Sequence, residues 1–391
     1  MKVLIDATAI TKNKAGVGVY AKNLIQELQG LNRPLHLYIL AQDDDPDLDH
    51  SDCPNVTMIW IPAKLFRKLP ARFLLEQFGI PLLLLKFRIH VIHSLNYSFP
   101  LVRFAAKQVV TLHDMTFFNM PEVHVPFKVL YFRLFIRAAV RFADALVFVS
   151  HSAQRDCIAR LGSPKGSISV IHHGASQAFR SDLSADSIKR AREKYGLPTD
   201  FILHVGTIEP RKNLNRLVEV FALLSQCHPE LVLVLVGMRG WMCNSLFARI
   251  RHLNLESRVI FTGFIAEADK PLLMSAARVF VYPSLYEGFG LPVLEALACG
   301  VPTVASNRSS LPEVAGQAAL LVDPTNEPEI LRAIEELLSN STLRQQLREE
   351  AIQQAAKFTW CEAAILTANL YKDTLADGHE YPKGAYPLRF G

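Results

Sequence analysis

Glu287 and Glu295 stand with seven residues between them in the run Pro283-Ser284-Leu285-Tyr286-Glu287-Gly288-Phe289-Gly290-Leu291-Pro292-Val293-Leu294-Glu295. The apolar segment Val279–Tyr282 before it predicts a strand. Gly288 and Gly290 let bare backbone approach a ligand, and Pro292 suits the first position of a helix. That helix is expected to run to Cys299 and stop at Gly300. Glu287 then falls in a loop and Glu295 in the first helical turn, with free N–H groups between them. A helix start of this kind attracts phosphate, and a carboxylate on either side can accept hydrogen bonds from hydroxyls. A molecule with sugar, diphosphate and ribose fits that chemistry.

Arg211 and Lys212 follow the predicted strand Phe201–Gly206 in the stretch Thr207-Ile208-Glu209-Pro210-Arg211-Lys212-Asn213. Asn213 reads as the N-cap of the next helix. Two adjacent cations at the carboxyl edge of a sheet can neutralise a pyrophosphate, Arg in bidentate fashion and Lys as a compact charge. His113-Asp114 ends another strand, Val109–His113. A lone strand-end histidine is more often a structural hydrogen-bonder than a catalyst. Gly16-Val17-Gly18 precedes an amphipathic helix but lacks the third glycine of a dinucleotide fingerprint. Trp241, in Gly237-Met238-Arg239-Gly240-Trp241, fits a core position, and Gly263-Phe264-Ile265 fits either a nucleobase border or a plain strand-to-helix turn.

These residues need a scaffold that brings strand ends together. Strand-like and helix-like segments alternate in the first half: Val3–Asp6, Val17–Leu31, Leu35–Leu40, Val91–His93, Val109–His113, Phe127–Phe142, Ala145–Val149 and Ile168–Ile171. The second half repeats the plan with Phe201–Val205, Leu214–Ser225, Leu231–Val236, Val259–Thr262, Val279–Tyr282, Val301–Ala305 and Ala319–Val322. Continuous apolar strands between amphipathic helices indicate parallel sheets covered on both faces, which bind ligands at the carboxyl ends of their strands. At 391 residues the chain has room for two such domains. The segment 175–199, polar with one short charged helix, reads as the linker. The tail 377–391, with Gly378, Pro382, Gly384 and Pro387, reads as loose.

Composition removes other classes. Half of the chain is apolar and a fifth charged, unlike a disordered protein. The greasiest stretch, Phe78 to Phe87, is broken by Gly79, Pro81 and Lys86 and falls short of the roughly 20 residues that span a bilayer. The first six residues are too short an apolar run for a signal peptide. The six cysteines are far apart and suit a reducing compartment. Asp43-Asp44-Asp45 reads as solvated charge, and His172-His173 lacks further ligands in range for zinc. The net charge of +5 is uneven: residues 1–175 carry 20 Lys and Arg against 13 Asp and Glu. Residues 64–160 hold 14 against 5, interleaved with Leu65, Phe66, Phe73, Leu74, Phe127, Leu130 and Phe132. A helix with snorkelling cations explains part of this pattern, and a surface that meets anionic lipid explains the same residues.

The run from Pro283 to Glu295, the later Leu311-Pro312-Glu313-Val314-Ala315-Gly316 and the Glu209-Pro210-Arg211-Lys212-Asn213-Leu214 stretch together resemble the retaining glycosyltransferases of family 4 (group 1), mannosyltransferase-type members in particular. The resemblance implies an α/β fold of GT-B architecture, two Rossmann-like doubly wound parallel-sheet domains facing a central cleft. It implies an N-terminal acceptor domain over 1–174, a nucleotide-sugar domain over 200–360 and a last helix, 363–376, packing back on the first. It further implies that Gly16 and Gly18 form a loop over the donor phosphates, that the Gly237-to-Trp241 stretch is a loop near the donor, and that Gly206, Gly263, Phe264, Gly288, Phe289, Gly290 and Leu291 border the donor. Glu295 would hold the ribose, Glu287 the donor sugar, Arg211 and Lys212 the diphosphate, and His113 the transferred sugar. The expected reaction moves a hexose, mannose from GDP-mannose, to a glycan or lipid-linked glycan without metal or cofactor. Its place would be the cytoplasmic face of the cell membrane, held peripherally to anionic lipid, with no nucleic-acid partner. A UDP-sugar transferase, a sugar-nucleotide epimerase and a non-catalytic sugar-nucleotide-binding scaffold are the alternatives.

Overall fold

A computed structural model of the chain describes residues 1–12, 14 and 16–376, so the expected loose tail 377–391 lies outside the described residues. Thirteen strands are described: β1 Lys2–Asp6, β2 His36–Gln42, β3 Val56–Ile61, β4 Val91–Ser94, β5 Lys107–Leu112, β6 Ala145–Phe148, β7 Ser167–Val170, β8 Phe201–Val205, β9 Val232–Val236, β10 Val259–Gly263, β11 Val279–Tyr282, β12 Thr303–Ser306 and β13 Leu320–Val322. They form two sheets, ordered β3-β2-β1-β4-β5-β6-β7 and β10-β9-β8-β11-β12-β13. Every pairing is parallel. Both orders reverse direction beside their first strand, which opens a crevice at the strand ends there.

The central strands are apolar because helices cover both faces. Val3, Leu4 and Ile5 of β1 and all of β11 are buried, each such side chain contributing about 1.5–3 kcal/mol of burial free energy. The helix Trp360–Ala376 lies against the helix Gly16–Gly30 of the first sheet. Tyr371 Oη and His93 Nδ1 are 2.6 Å apart, and Arg33 Nη1 donates to Asn369 Oδ1 at 2.7 Å. Ala175 bridges Thr359 where the chain passes between the sheets in each direction. The helix Ala185–Lys194, inside the expected linker, packs on the helix Lys270–Ala276 of the second sheet; Lys194 Nζ and Tyr195 Oη both donate to Asp269, at 2.6 and 2.8 Å.

Several local expectations are corrected. Gly16 and Gly18 open the helix Gly16–Gly30 and are not in a loop. The helix after the glycine loop is Leu291–Ala298, which places Glu295 at the start of its second turn. Asn213 takes a left-handed conformation (φ 59°), and its side chain does not cap the helix. Instead its Nδ2 donates to the carbonyls of Pro283 and Pro324, tying two strand-end loops together. The Asp43–Asp45 loop is not simply solvated, because Asp45 is buried against Lys14, Asp44 pairs with Arg67 and Asp43 accepts the Ala63 N–H. All six cysteines are free. No described helix is long and apolar enough to cross a membrane.

Candidate active site

The carboxyl ends of β8 and β11 bring Arg211, Lys212 and Glu287 into one cluster. Arg211 and Lys212 lie in the short 3-10 turn Pro210–Lys212 after β8, and Glu287 in the loop after β11. Arg211 Nη1 donates to Glu287 Oε2 and Lys212 Nζ to Glu287 Oε1, both at 2.7 Å. Ser284 Oγ donates to the same Oε1 at 2.6 Å. Glu209 takes a second Arg211 nitrogen at 2.7 Å, and Lys212 also reaches Tyr282 Oη at 2.6 Å. Glu287 is 7% exposed, so burial pushes its carboxyl up, but the two cations and the Ser284 hydroxyl overcome this and hold it at about 2. Burial and the Arg211 charge hold the Lys212 ammonium below the ordinary lysine range, with Glu287 opposing. Arg211 has five N–H donors and Lys212 three. After these bonds and the one from Arg211 Nη1 to the Tyr286 carbonyl at 2.8 Å, two donors remain on Arg211 and one on Lys212 among the described residues.

Beyond Glu287 the backbone is held from behind. Its N–H donates to Ser309 Oγ at 2.8 Å, and Ser310 Oγ donates to the carbonyls of Glu287 (3.0 Å) and Phe289 (2.8 Å). Gly290 adopts φ +105° as the N-cap of the helix Leu291–Ala298, a conformation that favours glycine. Among the described residues, the N–H groups of Gly288, Phe289, Gly290 and Leu291 have no partner, which leaves an anion-attracting helix start. Gly288 serves a different closeness from the one expected. A Cβ there would sit 2.0 Å from the His113 carbonyl oxygen, and Ser150 Oγ donates to the Gly288 carbonyl at 2.6 Å. The glycine lets the two domains touch.

Glu295 lies further along the same wall, 3% exposed, with Lys270 Nζ 2.8 Å from Oε1 and 2.7 Å from Oε2. Burial raises its carboxyl above the ordinary glutamate range, against the pull of Lys270. Across the cleft, His113 Nε2 faces the Leu95 carbonyl at 2.8 Å, which makes that nitrogen the N–H and leaves Nδ1 as an acceptor. Burial keeps this imidazole below its usual pKa and therefore neutral near pH 7. His173 stacks between Tyr20 and Trp360 beside it.

A cleft of about 550 Å³ collects these groups. Gly16, Gly18, His113, Gly206, Arg211, Lys212, Phe264, Glu287, Gly288, Phe289, Gly290, Leu291 and Glu295 all line it, whereas Gly263 does not. Lys270, Glu209 and His173 line it too and were not among the expected site residues. Of the two readings of Trp241, core or a loop near the donor, the structure fits the second: it is half exposed, lines the cleft, and donates its Nε1–H to the Val123 carbonyl of the opposite domain at 2.6 Å.

Residues 15–178 match the family model described as Glycosyltransferase Family 4, and residues 187–354 match Glycosyl transferases group 1. The O-antigen chain mannosyltransferase B of Escherichia coli is 33% identical over 285 residues, 72% of this chain and 74% of that protein. The serotype-specific mannosyltransferase WbdA of Escherichia coli is 34% identical over 247 residues, but the match spans only 30% of its length. Among solved structures, sucrose-phosphate synthase from Thermosynechococcus elongatus superposes with a TM-score of 0.78 at 22% identity, covering 96% of this chain and 99% of that one. Anabaena HepE in complex with UDP and glucose superposes at 0.75 with 20% identity, covering 95% and 99%. Two parallel-sheet domains, a cleft between their strand ends and these matches make the chain a glycosyltransferase of GT-B architecture that belongs to family 4.

Proposed function

We propose that the protein transfers mannose from GDP-mannose, with retention of anomeric configuration and without a metal, to a glycan or lipid-linked glycan in the assembly of a cell-surface polysaccharide. The observation that carries this reading is the Arg211–Lys212–Glu287 cluster beside the unpartnered N–H groups of residues 288–291. The diphosphate lies between the spare Arg211 and Lys212 donors and the helix start, whose fixed dipoles stabilise the charge that develops as the sugar departs. Two cations and a helix terminus supply what a divalent metal would otherwise supply. Both Glu287 oxygens already accept bonds, so this residue orients the cations and offers its remaining lone pairs to the sugar. Glu295, turned by Lys270, accepts from the ribose hydroxyls.

The acceptor oxygen attacks C1 from the face that the diphosphate leaves. The C1–O bond to phosphate breaks, and the acceptor proton passes to the departing phosphate oxygen. His113, neutral and donating to Leu95, is a weak base and serves as an acceptor that positions the sugar. The donor choice follows the Escherichia coli mannosyltransferases that this chain resembles. A thermal-shift panel of GDP, UDP, ADP and dTDP tests it. GDP should stabilise selectively, and selective stabilisation by UDP would overturn the GDP-mannose reading.

The acceptor side of the first domain supports a peripheral membrane position. Phe73, Leu74, Phe78, Leu82 and Leu85 are exposed along residues 69–87, as are Phe127, Leu130 and Leu134 on the helix Pro126–Phe142. These are apolar side chains on the outside of a segment rich in Lys and Arg, a pairing that suits anionic lipid. Sedimentation with anionic vesicles should be lost in a Phe127→Ser, Leu130→Ser variant. Equal sedimentation of variant and wild type, or none for either, would remove this part of the reading.

A further inference from the structure

Behind the cleft, three side chains that the transfer does not use converge on the domain junction. His151 opens the helix His151–Leu161 of the first domain, His172 follows β7, and Glu313 sits in the helix Leu311–Ala315 of the second. One ligand atom from each lies within 4.8 Å of the other two. His172 Nε2 is 2.6 Å from Glu313 Oε1, and the backbone N–H groups of His151 and Ser152 donate to the two oxygens of Glu313 at 2.9 and 3.3 Å. The local sequence around His172 shows no third ligand; the fold supplies one from each side of it.

We propose that His151, His172 and Glu313 form a site for a divalent transition metal of the zinc type that clasps the two domains together. Two imidazoles and one carboxylate are a borderline-soft donor set that suits zinc, whereas magnesium and calcium prefer all-oxygen shells. Ligands about 2.0–2.2 Å from an ion in a tetrahedron stand roughly 3.3 Å apart. The His172–Glu313 contact therefore opens slightly, and the exposed His151 ring swings inward. The N–H groups of His151 and Ser152 fix the carboxylate as outer partners do at metal sites. His151 is exposed and the other two half-buried, so the ion has an entry path and a fourth position open to water. The site reaches the donor loop directly. Ser310, one helical turn before Glu313, holds the Glu287 and Phe289 carbonyls, and Leu311 packs against Gly290. An ion bound here favours the closed arrangement of the cleft.

The test uses the full chain carrying Cys227→Ser and Cys361→Ser, since both cysteines are exposed and thiols compete for zinc. After chelator treatment, the protein is titrated with Zn²⁺ by calorimetry and with Co²⁺ by absorption. The expected result is one ion per chain, a raised melting temperature and Co²⁺ bands without thiolate charge transfer. His151→Ala, whose melting temperature in chelator should match that of its parent, and His172→Ala should each lower affinity by more than about 100-fold, beyond the 10–100-fold that loss of an outer partner costs. Absence of stoichiometric binding, or binding unchanged in both variants, would overturn the proposal and leave His172 and Glu313 as an ion pair only.

Discussion

Replacing Glu287 by Gln keeps the shape of the cluster and removes the charge that both cations share. In the wild type the carboxyl is held at about 2, against about 4.3 for an ordinary glutamate. A difference of roughly two units corresponds to on the order of 3 kcal/mol of folding stability. Breaking a buried ion pair by removing one partner costs about 3–5 kcal/mol, so two independent routes give the same scale. Because the folded pKa is depressed, this stability is fully present above about pH 4.3 and is lost as the pH falls towards 2. The variant should therefore be less stable by about 3 kcal/mol at pH 7, and the gap should close as both proteins are acidified. Urea unfolding followed by circular dichroism at neutral pH and at two or three points below pH 5 measures the gap. A gap that is already absent at pH 7, or one that persists unchanged on acidification, would refute the ion-paired cluster.

The double variant Arg211→Ala, Lys212→Ala should lose transfer by at least the 10²–10³ that removal of one preorganised electrostatic contact typically costs; Mg²⁺ or Mn²⁺ should not restore it, nor should either be needed by the chelator-treated wild type. Glu295→Ala and Lys270→Ala should both weaken binding of the free nucleoside diphosphate in calorimetry, because each leaves the other buried and unpaired. Nucleotide binding unchanged in both would remove Glu295 from the ribose end of the cleft.

What could be read from the sequence followed the physics of each segment. Strands such as Phe201–Val205 and Val279–Tyr282 are buried on both faces, so their apolar runs are continuous and their bounds legible. β3 carries the apolar run Met58-Ile59-Trp60-Ile61 but was not foreseen; at the sheet edge it buries only Val56 and Ile61, so its residues do not mark it as a core strand. The helix Ser341–Ala355 was equally silent, because it buries only Leu347, Ala351 and Ala355 and two of these are small. At the site, Glu287, Arg211 and Lys212 announce themselves by charge next to glycine and proline at strand ends. That Glu287 is bonded to both cations is a fact of the folded loops, 75 and 76 positions apart in the chain. Lys270 looks like any surface lysine before a proline, and only the packing of the helix Lys270–Ala276 turns it onto Glu295. Gly288 illustrates the opposite case: its presence was legible, and its reason, the His113 carbonyl of the other domain, was not.

The measurement that bears most directly on the central claim is the anomeric configuration of the product. The protein is incubated with isotopically labelled GDP-mannose and a mannose-terminated glycan, and the new linkage is read by NMR from its one-bond carbon–hydrogen coupling. The product should be an α-mannoside, with the configuration of the donor kept and with no divalent metal added. A β-mannoside would contradict the same-face mechanism, and absence of both transfer and donor hydrolysis with every nucleotide sugar offered would contradict the assignment of the cleft as a transferase site.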